Sequence, residues 1–318
     1  MNRDPIFFSI VIPTYNHAHY LRRALKSVER QSFTNWEIII VDNNSTDDTL
    51  AVIKQLRNQN IKLVQISNKG IIAKSRNAGI KIAKGKWIAF LDSDDFWQSK
   101  KLEICFNSIH KNPSLDVIIT NELQVDESSG IKKSLIYGPF SSNFYYKLLV
   151  YGNCLSPSAS VVKKDFLYKR KILFRENRKY ISAEDYDFWM LLARAGAKFK
   201  FINSIQGVYT IHQNNISKKI ELHNSNILSV IKDHVFNLQN FDHDKLALWS
   251  RIKFRFSVED FIKNLCSGNF SYCFEKVVDK KNFSVIFRIS FLLSILVFKL
   301  KLYFFNFYCR ICNCFYPD

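Results

Sequence analysis

Glycine-rich phosphate loops are missing from this chain of 318 residues. No G-x-G-x-x-G and no G-x-x-x-x-G-K-[ST] follows any apolar run, which argues against an ordinary dinucleotide-binding domain and against a P-loop NTPase. Glycine and proline are scarce, at 9 and 6 residues, and no low-complexity tract occurs, so the composition is that of a folded protein. No uncharged apolar run reaches the length of about 20 residues that a spanning helix needs. The opening MNRDPIFFSIVIPTYN does not read as a signal peptide, because Asp4 sits in the would-be basic region and no small-residue cleavage site follows. The seven cysteines are odd in number and follow no regular framework, which suggests a reducing compartment. The CRICNC tail has neither a nearby histidine nor a second ligand pair, so it reads as reduced thiols rather than a zinc site. Acid is also in short supply. There are 28 Asp and Glu against 46 Lys and Arg, a formal charge of +18, which favours anionic partners such as nucleotide phosphates, nucleic acid or an acidic membrane surface.

What is present begins with alternation. FFSIVIP, WEIIIVD, IKLVQIS and KWIAFLD are apolar runs that read as buried strands. Between them AHYLRRALKSVERQ, DDTLAVIKQLRNQ and IIAKSRNAGIKIAKG carry apolar residues at helical spacing, the last closed by Gly85 as a C-cap. This order predicts an α/β fold, a mixed and mainly parallel sheet of Rossmann type with helices on both faces. Further on, LDVIIT reads as a strand, SSNFYYKLLVYG as a helix and SASVVKKDFL as a strand leading into a turn. SAEDYDFWMLLARAG reads as a helix with Ser182 as N-cap and Gly196 at its end. KFKFINSIQGVYTIH reads as two strands or one long bent one. Beyond Asn214 the pattern is helical, a C-terminal extension that turns strongly aromatic after Asn282.

Ligands in such sheets bind beyond the carboxyl ends of the strands. Pro13–Asn16, Asp42–Ser45 and Asp92–Asp95 all lie there. The last group is the sharpest, with Asp92, Asp94 and Asp95 crowded at one strand end in an otherwise basic chain. Their repulsion is relieved if a divalent cation binds, and carboxylate oxygens suit Mg2+ or Mn2+. The plain alternative is a solvated turn in which Asp94 or Asp95 caps the next helix. Tyr15 offers an aromatic face for a base, and Asp42 a carboxylate that could accept from a ring N–H.

Four segments, VIPTYN, VDNNSTDDT, SRNAGI leading to FLDSDD, and the later EDYDFWMLL, stand in an order and spacing that resembles the family 2 glycosyltransferases of GT-A fold, over roughly residues 6–215. The resemblance implies inverting transfer of one sugar from a nucleotide diphosphate donor, usually a UDP-sugar, with Mn2+ or Mg2+. It implies that Pro13, Thr14 and Tyr15 line the base and ribose pocket, that Asp42 reads the base, and that Arg76 approaches the diphosphate or base. It makes Asp92 and Asp94 the D-x-D pair, Asp92 near ribose and metal and Asp94 on the metal. Asp185 becomes the catalytic base and Glu184 its neighbour in the acceptor site. Asp185 sits in the first turn of a helix, whose dipole favours the ionised form. A structural alternative has Asp185 completing a capping box with Ser182. The segment VYTIHQNNIS departs from the family's Tyr-Arg-x-His, since Thr210 stands at the Arg position while His212 remains as a group that could approach the metal or diphosphate. No Gln-x-x-Arg-Trp element of processive synthases is seen, which favours one sugar per encounter.

The resemblance divides the chain into a catalytic domain, 1–215, with a nucleotide-sugar half at about 1–115 and an acceptor half at about 116–215. A helical region, 216–318, follows. Its aromatic end places Lys281, Arg288 and Lys299 along one side of a helix, a pattern that suits an interfacial membrane segment. The expected location is cytoplasmic, peripheral on the inner face of the membrane, with a glycan or lipid-linked acceptor in surface polysaccharide synthesis. Two alternatives remain at this point. A nucleotidyltransferase would show a Gly-rich basic loop after the first strand. A nucleic-acid-binding protein fits the +18 charge, but the acids gather at the predicted cleft and the basic residues are dispersed.

Overall fold

The computed structural model describes residues 5–55, 60–138, 142–212 and 220–266. The expected membrane segment at the C-terminus lies outside them. The chain forms two compact units, Met1–Lys245 and Leu246–Asp318. The first half runs β1 (Phe8–Thr14), α1 (Ala18–Glu29), β2 (Trp36–Asp42), α2 (Thr49–Lys54), β3 (Ile61–Gln65), α3 (Ile72–Ile82), β4 (Trp87–Phe90), β5 (Phe96–Trp97) and α4 (Lys101–Lys111). It continues with β6 (Val117–Asp126), β7 (Lys132–Leu135), α5 (Phe144–Tyr151), β8 (Ser160–Lys163), α6 (Lys164–Arg170), α7 (Glu184–Arg194), β9 (Phe199–Ile211), α8 (Ile220–Asp233) and α9 (Lys245–Cys266).

The strands form one sheet in the order β3-β2-β1-β4-β8-β6-β9-β5, with β7 paired to β6. β3, β2, β1 and β4 are mutually parallel. β8 runs antiparallel to β4 and β6, while β9 lies parallel to β6. The sheet is therefore of the expected mixed type. Alternation along β1 puts helices on both faces. Phe8, Ile10 and Ile12 pack into a core with Leu21, Leu25 and Val28 of α1, Val52 and Ile53 of α2, and Leu102 and Cys105 of α4. Val11 points the other way, onto α3. There Gly79 allows the close approach, since a Cβ on it would fall 2.4 Å from Val11 Cγ1.

Several local expectations need correcting. Gly85 does not cap α3, which ends at Ile82 with Ala83 as its C-cap. Its place is set by crowding, because a Cβ there would lie 2.5 Å from Ser9 N of β1. Ser182 does not cap α7 either. It takes φ of 64°, Ala183 is the N-cap, and the Ser182 hydroxyl pairs with His223 at 3.0 Å. Gly196 does end α7, at φ of 80°, with Ala197 N donating back to Leu192 O. SASVVKKDFL turns from strand into helix at Lys164, and KFKFINSIQGVYTIH is one bent strand whose register against β6 shifts near Asn121.

Candidate active site

The parallel strands β1, β2 and β4 end side by side, so the three polar loops that follow them meet at one rim. The first two loops are stitched together. Asn16 N donates to Ser45 Oγ at 2.9 Å, and Asn16 Oδ1 accepts from Thr46 N at 2.7 Å. Asp42 is fully buried. It accepts from Ser45 Oγ at 2.5 Å and from Gln65 Nε2 at 3.3 Å. Pro13 is buried within β1, and Thr14 Oγ1 is buried with no hydrogen-bond partner among the described residues. Tyr15 is 52% exposed, so its ring presents an open aromatic surface at the mouth.

The crowded acids separate into different tasks. Asp95 is sealed inside. Its carboxylate accepts from Ser158 Oγ and from Thr210 N at 2.9 Å. Burial, and then the Asp94 charge, raise its pKa well above the usual carboxylate range, which favours the neutral form. The same Ser158 Oγ accepts from Asp92 N at 3.0 Å, so one hydroxyl ties down both ends of the acidic loop. Neither Asp94 nor Asp95 caps α4, whose N-cap is Lys100. Asp92 and Asp94 remain at the rim. Asp94 Oδ2 meets His212 Nε2 at 3.0 Å, and the His212 ring stacks on Tyr20 at 4.6 Å.

Arg76 joins the two halves of the site. It is only 3% exposed, and NH2 donates to Asp92 Oδ1 at 2.8 Å while NH1 donates to Glu184 Oε1 at 2.7 Å. Burial opposes its charge, but Asp92 and then Glu184 more than offset this, so its pKa is raised and it stays cationic. Glu184 opens α7, and Asp185 follows it in the first turn. Asp185 accepts from Tyr186 N at 2.7 Å and from Asn153 Nδ2 at 3.3 Å. Burial, and then the Glu184 charge, push its pKa up to about 7. This corrects the expectation drawn from the helix dipole. Loss of hydration outweighs the helix terminus, and the Ser182 capping box does not form. Asp187 points elsewhere, fully buried against Arg175 and 2.9 Å from His234 Nε2.

The structure also contributes a residue that the sequence reading missed. Arg23 of α1 donates from NH2 to Asp94 O and to Thr210 Oγ1, each at 2.8 Å, and from NH1 to Glu127 Oε1 at 2.9 Å. A guanidinium therefore stands beside the threonine that replaces the family's arginine. The available signal was its spacing: Tyr20 and Arg23 are three residues apart and so share one face of α1.

Among the described residues, no group of three His, Cys, Asp or Glu side chains forms a complete metal cage. Asp92 and Asp94 nevertheless fit the usual Mg2+ or Mn2+ arrangement, in which one or two carboxylates are completed by substrate phosphates and water. The model of glycosyl transferase family 2 matches residues 9–174. The chain is 31% identical over 226 residues to the UDP-Glc:alpha-D-GlcNAc-diphosphoundecaprenol beta-1,3-glucosyltransferase WfaP of Escherichia coli, covering 70% of this chain and 86% of that protein. It is 29% identical over 244 residues to an Escherichia coli chondroitin synthase, covering 75% of this chain but only 34% of that longer enzyme. Among solved structures, S. aureus TarS 1-349 in complex with UDP-GlcNAc shares the fold. Its TM-score is 0.63 at 24% identity, covering 78% of this chain and 72% of that one.

Proposed function

The chain belongs to glycosyl transferase family 2, and on that premise we propose that it moves one sugar, with inversion, from a UDP-sugar to a lipid-linked glycan acceptor in surface polysaccharide synthesis. It is a glycosyltransferase, which replaces the nucleotidyltransferase and nucleic-acid-binding alternatives. The donor and acceptor classes follow the relatives: the WfaP name specifies a UDP-glucose donor and a diphosphoundecaprenol-linked acceptor. One observation carries the reading most directly. Arg76 holds Asp92 and Glu184 on the two arms of one guanidinium, so a candidate donor acid meets the immediate neighbour of the candidate base Asp185 although they lie far apart in the chain.

The geometry supports the following division of labour. Tyr15 offers its ring to the uracil, and Asp42 is the carboxylate that would accept from a ring N–H. Asp92 and Asp94, with His212 behind Asp94, would hold a divalent cation, which when bound supplies charge stabilisation for the departing diphosphate. Arg76 and Arg23 keep these acids in place. Glycosyl transfer passes through an oxocarbenium-like transition state. The acceptor hydroxyl attacks the anomeric carbon from the face opposite the diphosphate, and its proton passes to an Asp185 carboxylate oxygen. A base with a pKa near 7 is matched to that task at neutral pH, because it is substantially ionised yet still basic. Glu184 stays paired to Arg76 and holds the first turn of α7 in position.

Asp94→Asn tests the donor side. The account expects Mn2+-dependent tightening of UDP binding, read by isothermal titration, to disappear while the melting temperature stays close to that of the parent. Undiminished UDP affinity in the variant with Mn2+ present would remove Asp94 from the metal site.

A further inference from the structure

The fold gathers basic residues that are scattered in the sequence. Lys164 N donates to Lys86 O at 3.0 Å, and Lys164 Nζ to Ala83 O at 3.0 Å, so α6 lies against the turn between α3 and β4. Lys84 and Lys86 of that turn are exposed, as are Lys169, Arg170 and Lys171 at the end of α6. Asp165 is the one acid within this stretch of α6. Apolar surface is interleaved with the cations: Tyr168 is 54% and Ile82 40% exposed. Lys164 Nζ sits 5.9 Å from the Tyr168 ring centre, and the Arg170 guanidinium 5.8 Å from that of Phe166. Basic side chains alternating with exposed aromatic and aliphatic groups match the interface of an anionic bilayer, where charges meet headgroups and rings enter the acyl boundary.

The α3–β4 turn lies at the amino end of β4, and the chain beyond α6 leads back from there towards the site. Lys171 is three residues before Phe174, a span of at most about 11 Å. The Phe174 ring centre lies 5.4 Å from the Arg76 guanidinium.

We propose that α6 and the α3–β4 turn form a docking surface for an anionic lipid bilayer. The choice of lipid rests in part on the reading that the acceptor is lipid-linked. The surface itself rests on charge and exposure alone. It belongs to the catalytic unit.

Co-sedimentation of the full chain with phosphatidylcholine vesicles, with and without phosphatidylglycerol, tests it. The variant carrying Lys169→Glu, Arg170→Glu and Lys171→Glu is compared with a control carrying Lys132→Glu, Lys133→Glu and Lys147→Glu, exposed lysines elsewhere with the same change in charge. Each cation at a membrane surface contributes roughly a fivefold factor, so three predict at least about a 100-fold loss of partitioning into the phosphatidylglycerol vesicles. The control should lose far less, and salt should weaken the parent's binding. If the Glu variant has a lowered melting temperature, the same three positions as Gln carry the test. Equal loss in patch and control variants would reduce the effect to net charge and overturn the proposal, as would no loss in the patch variant. A parent that shifts RNA or DNA in a gel yet ignores these vesicles would overturn it in favour of a nucleic-acid surface. Vesicle binding is read without donor or acceptor, so failure of sugar transfer and failure of docking are separate results.

Discussion

Asp185 and Arg76 place opposite demands on the protein. Asp185 is costly when ionised, because burial and Glu184 both oppose its charge. Its pKa rises from 3.8 in an unperturbed chain to about 7 in the fold. The folded state therefore holds this proton more tightly, and stability from this group is lost as pH climbs from about 4 through about 7. Asp185→Asn should melt higher than the parent above pH 7, with the difference fading towards pH 4. The same substitution removes the proposed proton acceptor and should lower turnover by about 10²–10⁴-fold while donor affinity is kept. The parent's kcat/KM should rise with pH through about 7. A variant that is less stable at pH 8 yet turns over normally would assign Asp185 to structure. Arg76 behaves in the opposite way. Arg76→Ala leaves Asp92 and Glu184 unpaired and should cost about 3–5 kcal/mol in denaturant unfolding. Arg76→Lys should recover only part of this, because one ammonium cannot reach two carboxylates held apart by a planar fork. Equal stability of Arg76→Ala and the parent would contradict the bridge.

At the scale of elements, the acidic loop after β4 is rigid because its neighbours fix it, and Ser158 is the clearest case. Ser158→Ala removes the acceptor for Asp92 N and the donor to Asp95. If Asp92 belongs to the proposed cation site, UDP affinity in the presence of Mn2+ should fall about tenfold, with little change in its absence. An equal fall without Mn2+ would point to general loosening. The packing of α3 on β1 makes a second prediction. Gly79→Ala should cost about 1–3 kcal/mol through its clash with Val11, and Val11→Ala should relieve much of it in a double-mutant cycle. Additive losses would mean that the two do not meet.

The parallel half of the sheet was readable because β1, β2 and β4 are buried on both faces and so consist of nearly unbroken apolar residues. Other elements were hidden for physical reasons. The helix after the acidic turn, α4, was expected only without bounds, because a core position in it is taken by Lys101, fully buried with Nζ on Thr120 Oγ1, which breaks the apolar rhythm. β5 spans two residues and exists only because β9 bends to meet it at Val208. Ser182 has the composition of an N-cap but takes a left-handed conformation, which no residue-type rule anticipates. At the site, Asp92, Asp94, Arg76 and Asp185 stood out as motif residues. Arg23 and Ser158 did not, because their importance lies in contacts made across 71 and 66 positions of sequence.

At the scale of the whole molecule, the parallel strand ends bring together acids from β4 and α7 and the aromatic edge after β1. Together they make one polar rim on a strongly basic body. That contrast suits a doubly phosphorylated donor, drawn in by the overall field and then held by a small set of fixed groups. In the proposed mechanism the acceptor face is built on α7, which is anchored by ion pairs. Arg175 pairs with Asp187 and Asp233, and His234 with Asp187, so the helix that carries Asp185 is fastened to α8. The central claim is a single displacement in which Asp185 deprotonates the acceptor and the sugar inverts. Proton NMR of the product, formed by the full chain with Mn2+ from a panel of UDP-α-sugars and a GlcNAc-diphosphate-lipid acceptor, tests it most directly. The account predicts a β-linked product from one of these donors, with turnover lost in Asp185→Asn. A product of retained α configuration, or undiminished turnover in the variant, would contradict it.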